Sequence, residues 1–143
     1  MMSDADTLSL VRKGLRELCD AHGIDASHGV HHAEQVLAHA DAAVGAADPP
    51  LLPDDALAVR LAALLHDTDD RKYFPSTSTS LANAAAIMRS AGVAPVVADD
   101  ALAMIRLVSC SSNGNSMPRE AGERPWILWP RWADRLEATG AIG

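Results

Sequence analysis

Apolar residues recur at helical spacing along almost the whole chain, and this periodicity limits the possible folds more than any other feature. Between residues 6 and 23, for example, Leu8, Val11, Leu15 and Leu18 lie three or four positions apart. Comparable patterns occupy residues 27–44, 54–67, 79–92, 94–109 and 126–138. With only 3% aromatic residues, the core must be built from Ala, Leu, Val, Ile and Met. The 143 residues therefore predict an all-α, single-domain bundle of about six helices.

Polar residues, glycine and proline predict where these helices begin and end. Asp6 and Ser27 are suited to capping the first two helices, and a Ser/Thr cluster before residue 81 is suited to capping the fourth. Gly23 follows the first helix, in the position where glycine commonly ends one. Pro130 is expected either to kink the last helix or to mark its start.

Charge and composition exclude several kinds of partner. The formal net charge of -7 argues against a nucleic acid polymer or an anionic membrane, because both require a basic face. No window approaches the roughly 18 apolar residues of a membrane span, and the start of the chain lacks the pattern of a secretory signal. Cys19 and Cys110 are interpreted as free thiols. We expect a soluble, cytoplasmic protein, for which a homodimer is one candidate assembly.

The stretch LLHDTDD at residues 64–70 places a histidine and three aspartates behind an apolar run. His66 and Asp67 are predicted to continue the third helix into its last turn. Adjacent helical residues point about 100° apart, so both can reach one point only where several helices converge. A divalent cation at such a point would offset the cost of burying these groups. The simpler alternative is a hydrogen-bonded helix end, with Asp69 and Asp70 as a solvated acidic pair.

Further candidate ligands lie on other predicted helices. His28 and His32 are four residues apart and share one helix face, whereas His31 projects roughly 100° from His32. Asp134, in the last helix, is an acidic residue flanked by apolar positions. Each histidine alone is equally compatible with an ordinary surface or core position. In series, these residues form the order His, His-Asp, Asp.

The chain resembles the HD-domain superfamily of metal-dependent phosphohydrolases through three motifs in this order. They are SHGVHHAEQV at 27–36, LAALLHD at 61–67 and ADRLEATGAIG at 133–143. The resemblance extends from about Ser27 to the end and implies an HD-type helical bundle. It also implies a metal site formed by His32, His66, Asp67 and Asp134. Where many relatives carry Asp and Arg, this chain has Gly29 and Gln35.

The implied activity is hydrolysis of a phosphoester or phosphoanhydride in a nucleotide or a similar small phosphorylated metabolite. One divalent ion, Mn, Fe, Co, Ni, Zn or Mg, would activate water for this reaction. Asp67 and Asp70 are the expected catalytic carboxylates, with Asp70 orienting or deprotonating the water. The expected contacts to the substrate phosphate come from His28, Arg71 and Lys72.

Two other functions follow from the same motifs. Gly29, Gln35 and the end of the chain at Gly143, where relatives usually continue, would permit a metal-binding regulatory or interaction module with weakened turnover. An HD oxygenase is the third candidate. Such enzymes resemble this architecture but use additional histidines, and all six histidines of this chain precede Asp67. A mononuclear hydrolytic site is therefore the favoured prediction.

Overall fold

The computed structural model describes residues 2–25, 29–108 and 118–140, which form helices joined by turns. Its α-helices are α1 (Asp4–Ala21), α2 (Val30–Ala46), α3 (Pro53–Leu65), α4 (Ala82–Ser90), α5 (Pro95–Val108) and α6 (Trp129–Gly140). Two 3-10 helices, Arg119–Gly122 and Pro125–Leu128, precede α6. The described ranges contain no β-strand. The predicted all-α bundle of about six helices is therefore confirmed.

Helix α3 lies at the centre of the bundle. From Ala56 to Leu65, every residue except Arg60 is buried. A helix that is apolar on all sides is stable only when other elements cover it, and α3 packs against α1, α2, α5 and α6. The C-terminal end of α3 therefore lies where these helices meet, and His66 and Asp67 follow it directly.

The ends of α1 illustrate what local sequence can and cannot predict. The Ser3 hydroxyl oxygen accepts a hydrogen bond from the Asp6 backbone N–H at 3.1 Å. The prediction that Asp6 caps α1 is wrong, because the helix begins one residue after Ser3. Gly23 adopts a left-handed φ of 65°, and the Ile24 backbone N–H donates to the Cys19 carbonyl at 3.0 Å. The helix stop predicted at Gly23 is therefore confirmed.

Helix α2 starts without a side-chain cap, and α6 starts directly after the second 3-10 helix. Helix α2 begins at Val30, after Gly29, which makes no side-chain cap. Ser27, the predicted cap, lies outside the described residues. Helix α6 begins at Trp129, so Pro130 stands in its first turn and marks the true start of the helix, as one of the two predictions had it.

Helix α3 ends earlier than the sequence predicts. It stops at Leu65, with His66 as the C-cap and Asp67 in the following turn, whereas both were predicted to lie in the last helical turn. Thr68 donates to the Leu65 carbonyl through its backbone N–H at 3.1 Å and its hydroxyl at 2.8 Å. This carbonyl is the acceptor that a further helical turn would need, so the chain leaves the helix here.

Helix α4 is capped from a distance. It begins at Ala82, and the backbone N–H groups of Asn83 and Ala84 donate to the two carboxylate oxygens of Asp69 at 2.9 and 3.0 Å. The predicted Ser/Thr cap is therefore wrong. So is the interpretation of Asp69 as a solvated residue, because only 5% of it is exposed.

A buried arginine fixes α6 in the bundle. Arg131 is fully buried, and its Nε donates to the Leu107 carbonyl near the end of α5 at 2.6 Å. Since Asp134 lies one turn further along α6, this contact helps to set its position.

None of the helices in the described ranges combines the length and apolar character needed to cross a membrane.

Candidate metal centre

Three helices bring the predicted ligands together. His32 comes from α2, His66 from the end of α3, and Asp134 from α6. The Asp134 Oδ1 atom lies 3.2 Å from His32 Nε2 and 3.2 Å from His66 Nε2. One possible ligand atom from each of these side chains lies within 4.8 Å of the others. The residues implied by the resemblance therefore form a real cluster in space.

Asp67 completes this cluster from the turn after α3. Its Oδ2 lies 3.1 Å from His66 Nε2 and 3.6 Å from His32 Nε2. The turn matters, because adjacent residues on a continuing helix would point about 100° apart. With α3 ending at Leu65, His66 and Asp67 both reach the same point. The name His/Asp cluster is used below for His32, His66, Asp67 and Asp134.

The buried imidazole of His66 is oriented for ligation. Only 2% of its side chain is exposed, and Nδ1 lies 2.8 Å from the Ala63 carbonyl, to which it can donate. This hydrogen bond leaves Nε2 facing the cluster. Nε2 is buried and has no hydrogen-bond partner among the described residues, although two carboxylates lie within ion-pair distance. A buried nitrogen in this situation suits a cation held jointly with the carboxylates.

The charges of the cluster perturb one another strongly. Burial alone lowers the pKa of His66, but the carboxylates of Asp67 and Asp134 outweigh it and raise the pKa to about 10. Burial alone raises the pKa of Asp134, but its contacts with His32 and His66 outweigh burial and hold the pKa below its ordinary value. Partial burial also raises the pKa of Asp67, whose side chain is still 48% exposed, but the charge of and hydrogen bond with His66 lower it below its ordinary value. Without a metal, the imidazolium of His66 serves as the positive partner of both carboxylates.

A second histidine–carboxylate contact joins α2 to α6. His39 Nε2 lies 2.9 Å from Glu137 Oε1. His39 is seven residues after His32 and Glu137 three residues after Asp134, so the two contacts follow the same helix seam. This arrangement links the relative position of α2 and α6 to the geometry of the cluster.

A cavity of about 230 Å³ opens beside the His/Asp cluster. His32 and Asp67 form part of its wall, so a molecule in the cavity contacts the cluster directly. Asp70 and Lys72 also line it. Arg71 is exposed and does not line this cavity, and His28 lies outside the described residues. Of the predicted catalytic and substrate contacts, the structure therefore brings Asp67, Asp70 and Lys72 to one place.

Much of the cavity wall was missed by sequence reasoning. Helix α1 contributes Leu15, Leu18 and Cys19, and the turn after the aspartates contributes Tyr73 and Phe74. The chain has one tyrosine and one phenylalanine, and both stand in this wall. Their position directly after the His-Asp motif was the available signal. No sequence signal marked the residues of α1 as part of the site, because only tertiary packing brings them there.

The close packing around Gly29 explains one departure from the HD pattern. A Cβ atom at this position would lie 2.9 Å from Cys19 Sγ and 3.1 Å from the Asp25 carbonyl oxygen. An aspartate there would require the Cys19 side chain and the backbone at Asp25 to shift. In this chain, glycine at 29 and cysteine at 19 are therefore matched to each other. Burial also raises the pKa of the Cys19 thiol, so this thiol remains protonated at neutral pH.

Sequence comparison identifies a viral relative of this chain. The chain is 34% identical over 150 residues to an uncharacterised protein, L803, of Acanthamoeba polyphaga mimivirus. The match covers 96% of this chain and 58% of the relative, so the chain spans little more than half of that protein's length. No family model and no solved structure matches the chain. These comparisons assign no chemistry to the site.

Proposed function

We propose that this chain is a metal-dependent phosphohydrolase. Its substrate would be a phosphoester or phosphoanhydride of a nucleotide or a similar small phosphorylated metabolite. The observation that carries the proposal is the convergence of two imidazoles and two carboxylates from α2, α6 and the end of α3 with its following turn. They lie beside a cavity that Asp70 and Lys72 also line. The motif order of the HD superfamily supports the same function.

The donor set fits a divalent cation. His32, His66, Asp67 and Asp134 would hold it, through the two Nε2 atoms and one oxygen from each carboxylate. A mixed nitrogen and oxygen set of this kind accepts Mn, Fe(II), Co, Ni, Zn or Mg. When bound, such an ion polarises a phosphoryl oxygen and makes water a better nucleophile. The buried Nε2 of His66, which faces both carboxylates without a well-aligned hydrogen bond, is the strongest support for the fit.

Asp70 and Lys72 act on the substrate side of the proposed site. Asp70 is half-buried, and its main-chain carbonyl accepts hydrogen bonds from the Tyr73 and Phe74 N–H groups at 3.0 and 2.7 Å. This tight turn directs the residue toward the cavity. The Asp70 carboxylate would accept a proton from the water that attacks phosphorus. The Lys72 ammonium would offset the charge of the phosphate.

A metal-holding module with weak or no turnover is the second candidate. It is favoured by Gly29, where the chain offers no carboxylate and where a side chain would press against Cys19 Sγ and the Asp25 carbonyl. Such a module would retain the His/Asp cluster and its metal affinity. It would differ from the enzyme only in failing to release phosphate.

A substrate panel separates these two candidates. Purified protein is incubated with nucleoside mono-, di- and triphosphates and with simple phosphomonoesters, each in the presence of Mn²⁺, Co²⁺, Ni²⁺, Zn²⁺ or Mg²⁺. The proposed enzyme releases phosphate from at least one of them, and His66→Ala abolishes the release together with metal binding. Stoichiometric metal binding without release of phosphate from any substrate would favour the module instead.

A further inference from the structure

The cavity beside the His/Asp cluster is lined mainly by apolar side chains, and hydrolysis of a phosphate does not by itself require such a lining. We propose that it is an apolar subsite that selects monophosphate esters of compact, ring-sized apolar alcohols. This inference rests on the proposed function for the position of the phosphate. The selection itself depends on residues of α1 and of the turn after Asp70.

The walls of the subsite are mainly hydrocarbon. Its apolar lining includes Leu15 and Leu18 of α1, Ile24 beyond that helix, and Tyr73 and Phe74 of the turn after Asp70. Phe74 is only 5% exposed, and its ring meets His22 edge to face at a centroid distance of 4.8 Å. The Phe74 ring is therefore held in place before any ligand enters, whereas Tyr73 is 37% exposed. Apolar surface next to a charged cluster favours a ligand with one charged end and one apolar end.

The size of the cavity limits the organic group. Its volume of about 230 Å³ exceeds the roughly 150 Å³ of an apolar protein cavity known to take one benzene ring. It falls short of the roughly 300–1,000 Å³ of pockets that enclose larger ligands. One ring with a short linker to the phosphate fits this range. A complete nucleoside with several phosphates would extend far outside the cavity.

The charges around the cavity favour a single phosphate. Lys72 is the one lysine or arginine in its wall, counting the residues that the structure describes. Asp67 and Asp70 lie in the same wall, and the chain as a whole has a formal net charge of -7. One ammonium group cannot compensate a polyphosphate chain beside two carboxylates. A monophosphate, reaching the cluster at one end of the cavity, needs only that cation and the ion proposed above.

The apolar wall also discriminates against polar organic groups. A nucleobase or a glycerol hydroxyl placed against Leu15, Leu18 and Ile24 would lose hydrogen bonds to water without gaining new ones. A benzyl or phenyl group loses nothing on entering the same space. The wall therefore distinguishes substrates that react at an identical phosphate.

Two substrates with the same reacting group test the selection in the metal-loaded protein. Benzyl phosphate and glycerol 3-phosphate are both monoesters of primary alcohols, but only the first carries an apolar ring. We expect kcat/KM to be at least about tenfold higher for benzyl phosphate, and higher than for AMP or ATP. A preference for glycerol 3-phosphate or for either nucleotide overturns the subsite while leaving the phosphohydrolase proposal intact.

Variants of the wall identify the residues responsible. Leu18→Ser and Tyr73→Ser should each reduce the preference for benzyl phosphate by about tenfold, because the lost contacts are made by the ring alone. Leu10→Ser is the matched control. It lies two turns earlier on α1, is 42% exposed and does not line the cavity, so the preference should not change. An unchanged preference in both wall variants, with folding intact by circular dichroism, contradicts the assignment.

A binding measurement separates this inference from the activity. Benzylphosphonate and methylphosphonate cannot be hydrolysed at the P–C bond, and calorimetry can compare their affinities for the Mn²⁺-loaded protein. Tighter binding of benzylphosphonate, by about tenfold, is expected even if no ester is turned over. That result without turnover would sustain the subsite and reject the phosphohydrolase. Equal affinities would reject the subsite whatever the activity.

Discussion

The carboxylate of Asp69 caps helix α4 at Asn83, fourteen residues away in the chain. Asn83 returns the contact, because its side-chain Nδ2 donates to the Thr68 carbonyl at 2.9 Å. These hydrogen bonds therefore attach the turn that contains His66, Asp67 and Asp70 to the first turn of α4. A negative charge at a helix N-terminus is favourable, and here both carboxylate oxygens are used.

Loss of this cap should destabilise the fold. Asp69→Ala leaves the part-buried N–H of Asn83 and the buried N–H of Ala84 without their acceptor, so we expect the free energy of unfolding in urea to fall by about 1–2 kcal/mol. Asp99→Ala removes an exposed aspartate from α5 and serves as the control, with an expected change of no more than about 0.5 kcal/mol. Equal stability of the two variants would contradict the capping role.

Metal binding should release a proton from His66. Its pKa of about 10 in the metal-free protein means that Nε2 carries a proton at neutral pH, and a cation must displace it. The apparent affinity for Mn²⁺ should therefore rise about tenfold per pH unit below that pKa. Calorimetry in buffers of different ionisation enthalpy measures the proton release. An affinity that does not change between about pH 6 and about pH 8 would rule this linkage out.

The stability of the metal-free protein should fall at alkaline pH. The pKa of His66 is raised on folding, so its contribution is fully present below its unfolded pKa of 6.5 and is lost as the pH rises toward about 10. The lowered pKa of Asp134 has the opposite sign, and its contribution is lost only in acid. Urea unfolding across this range should show a decline that His66→Gln abolishes. A decline of the same size in that variant would assign the effect to other groups.

The contact between His39 and Glu137 should support the cluster from two turns further along α2 and one turn further along α6. A double-mutant cycle with alanine at both positions should give a coupling of about 0.5–1 kcal/mol, since Glu137 is largely shielded from water. Either single variant should also weaken Mn²⁺ binding, because Asp134 follows the movement of α6. Asp41→Ala, which breaks the contact of α2 with Arg60 on α3, should leave Mn²⁺ affinity unchanged. Equal effects of the three variants on affinity would argue against a seam specific to α2 and α6.

Replacing Asp70 separates chemistry from metal binding. Asp70→Asn removes the proposed proton acceptor, and kcat should fall by about 10²–10⁴-fold on any substrate that the panel identifies. The metal content, measured by atomic emission, should stay at the wild-type value, because Asp70 is outside the His/Asp cluster. Asp99→Asn, on exposed α5 surface, should keep full activity. Full turnover in Asp70→Asn would remove this carboxylate from the mechanism.

The helices and the cluster were predictable because their signals are local or motif-based. Apolar spacing located every α-helix, and Gly23 ended α1 as expected from its freedom to adopt a positive φ. The resemblance to the HD superfamily indicated four residues that the structure does bring together. Periodicity alone would not have selected His32 over His28 or His31.

The remaining features depend on tertiary contacts that no local pattern encodes. Asp69 looks like a solvated residue in sequence, and only the approach of α4 turns it into a cap. Helix α3 ends at Leu65 because Thr68 donates hydrogen bonds to the Leu65 carbonyl, which a longer helix would need as an acceptor. The spacing of apolar residues does not reveal this contact. Leu18 and Tyr73 face one cavity although more than fifty residues separate them. Packing of α1 against the turn after α3 creates that cavity.

The central claim is that His32, His66, Asp67 and Asp134 hold one divalent cation between them. A crystal grown with Mn²⁺ and measured near the manganese absorption edge tests it directly. We predict one strong anomalous peak within bonding distance of both Nε2 atoms and of an oxygen from each carboxylate. The absence of a peak at the His/Asp cluster, in a well-ordered crystal that contains Mn²⁺, would contradict the account.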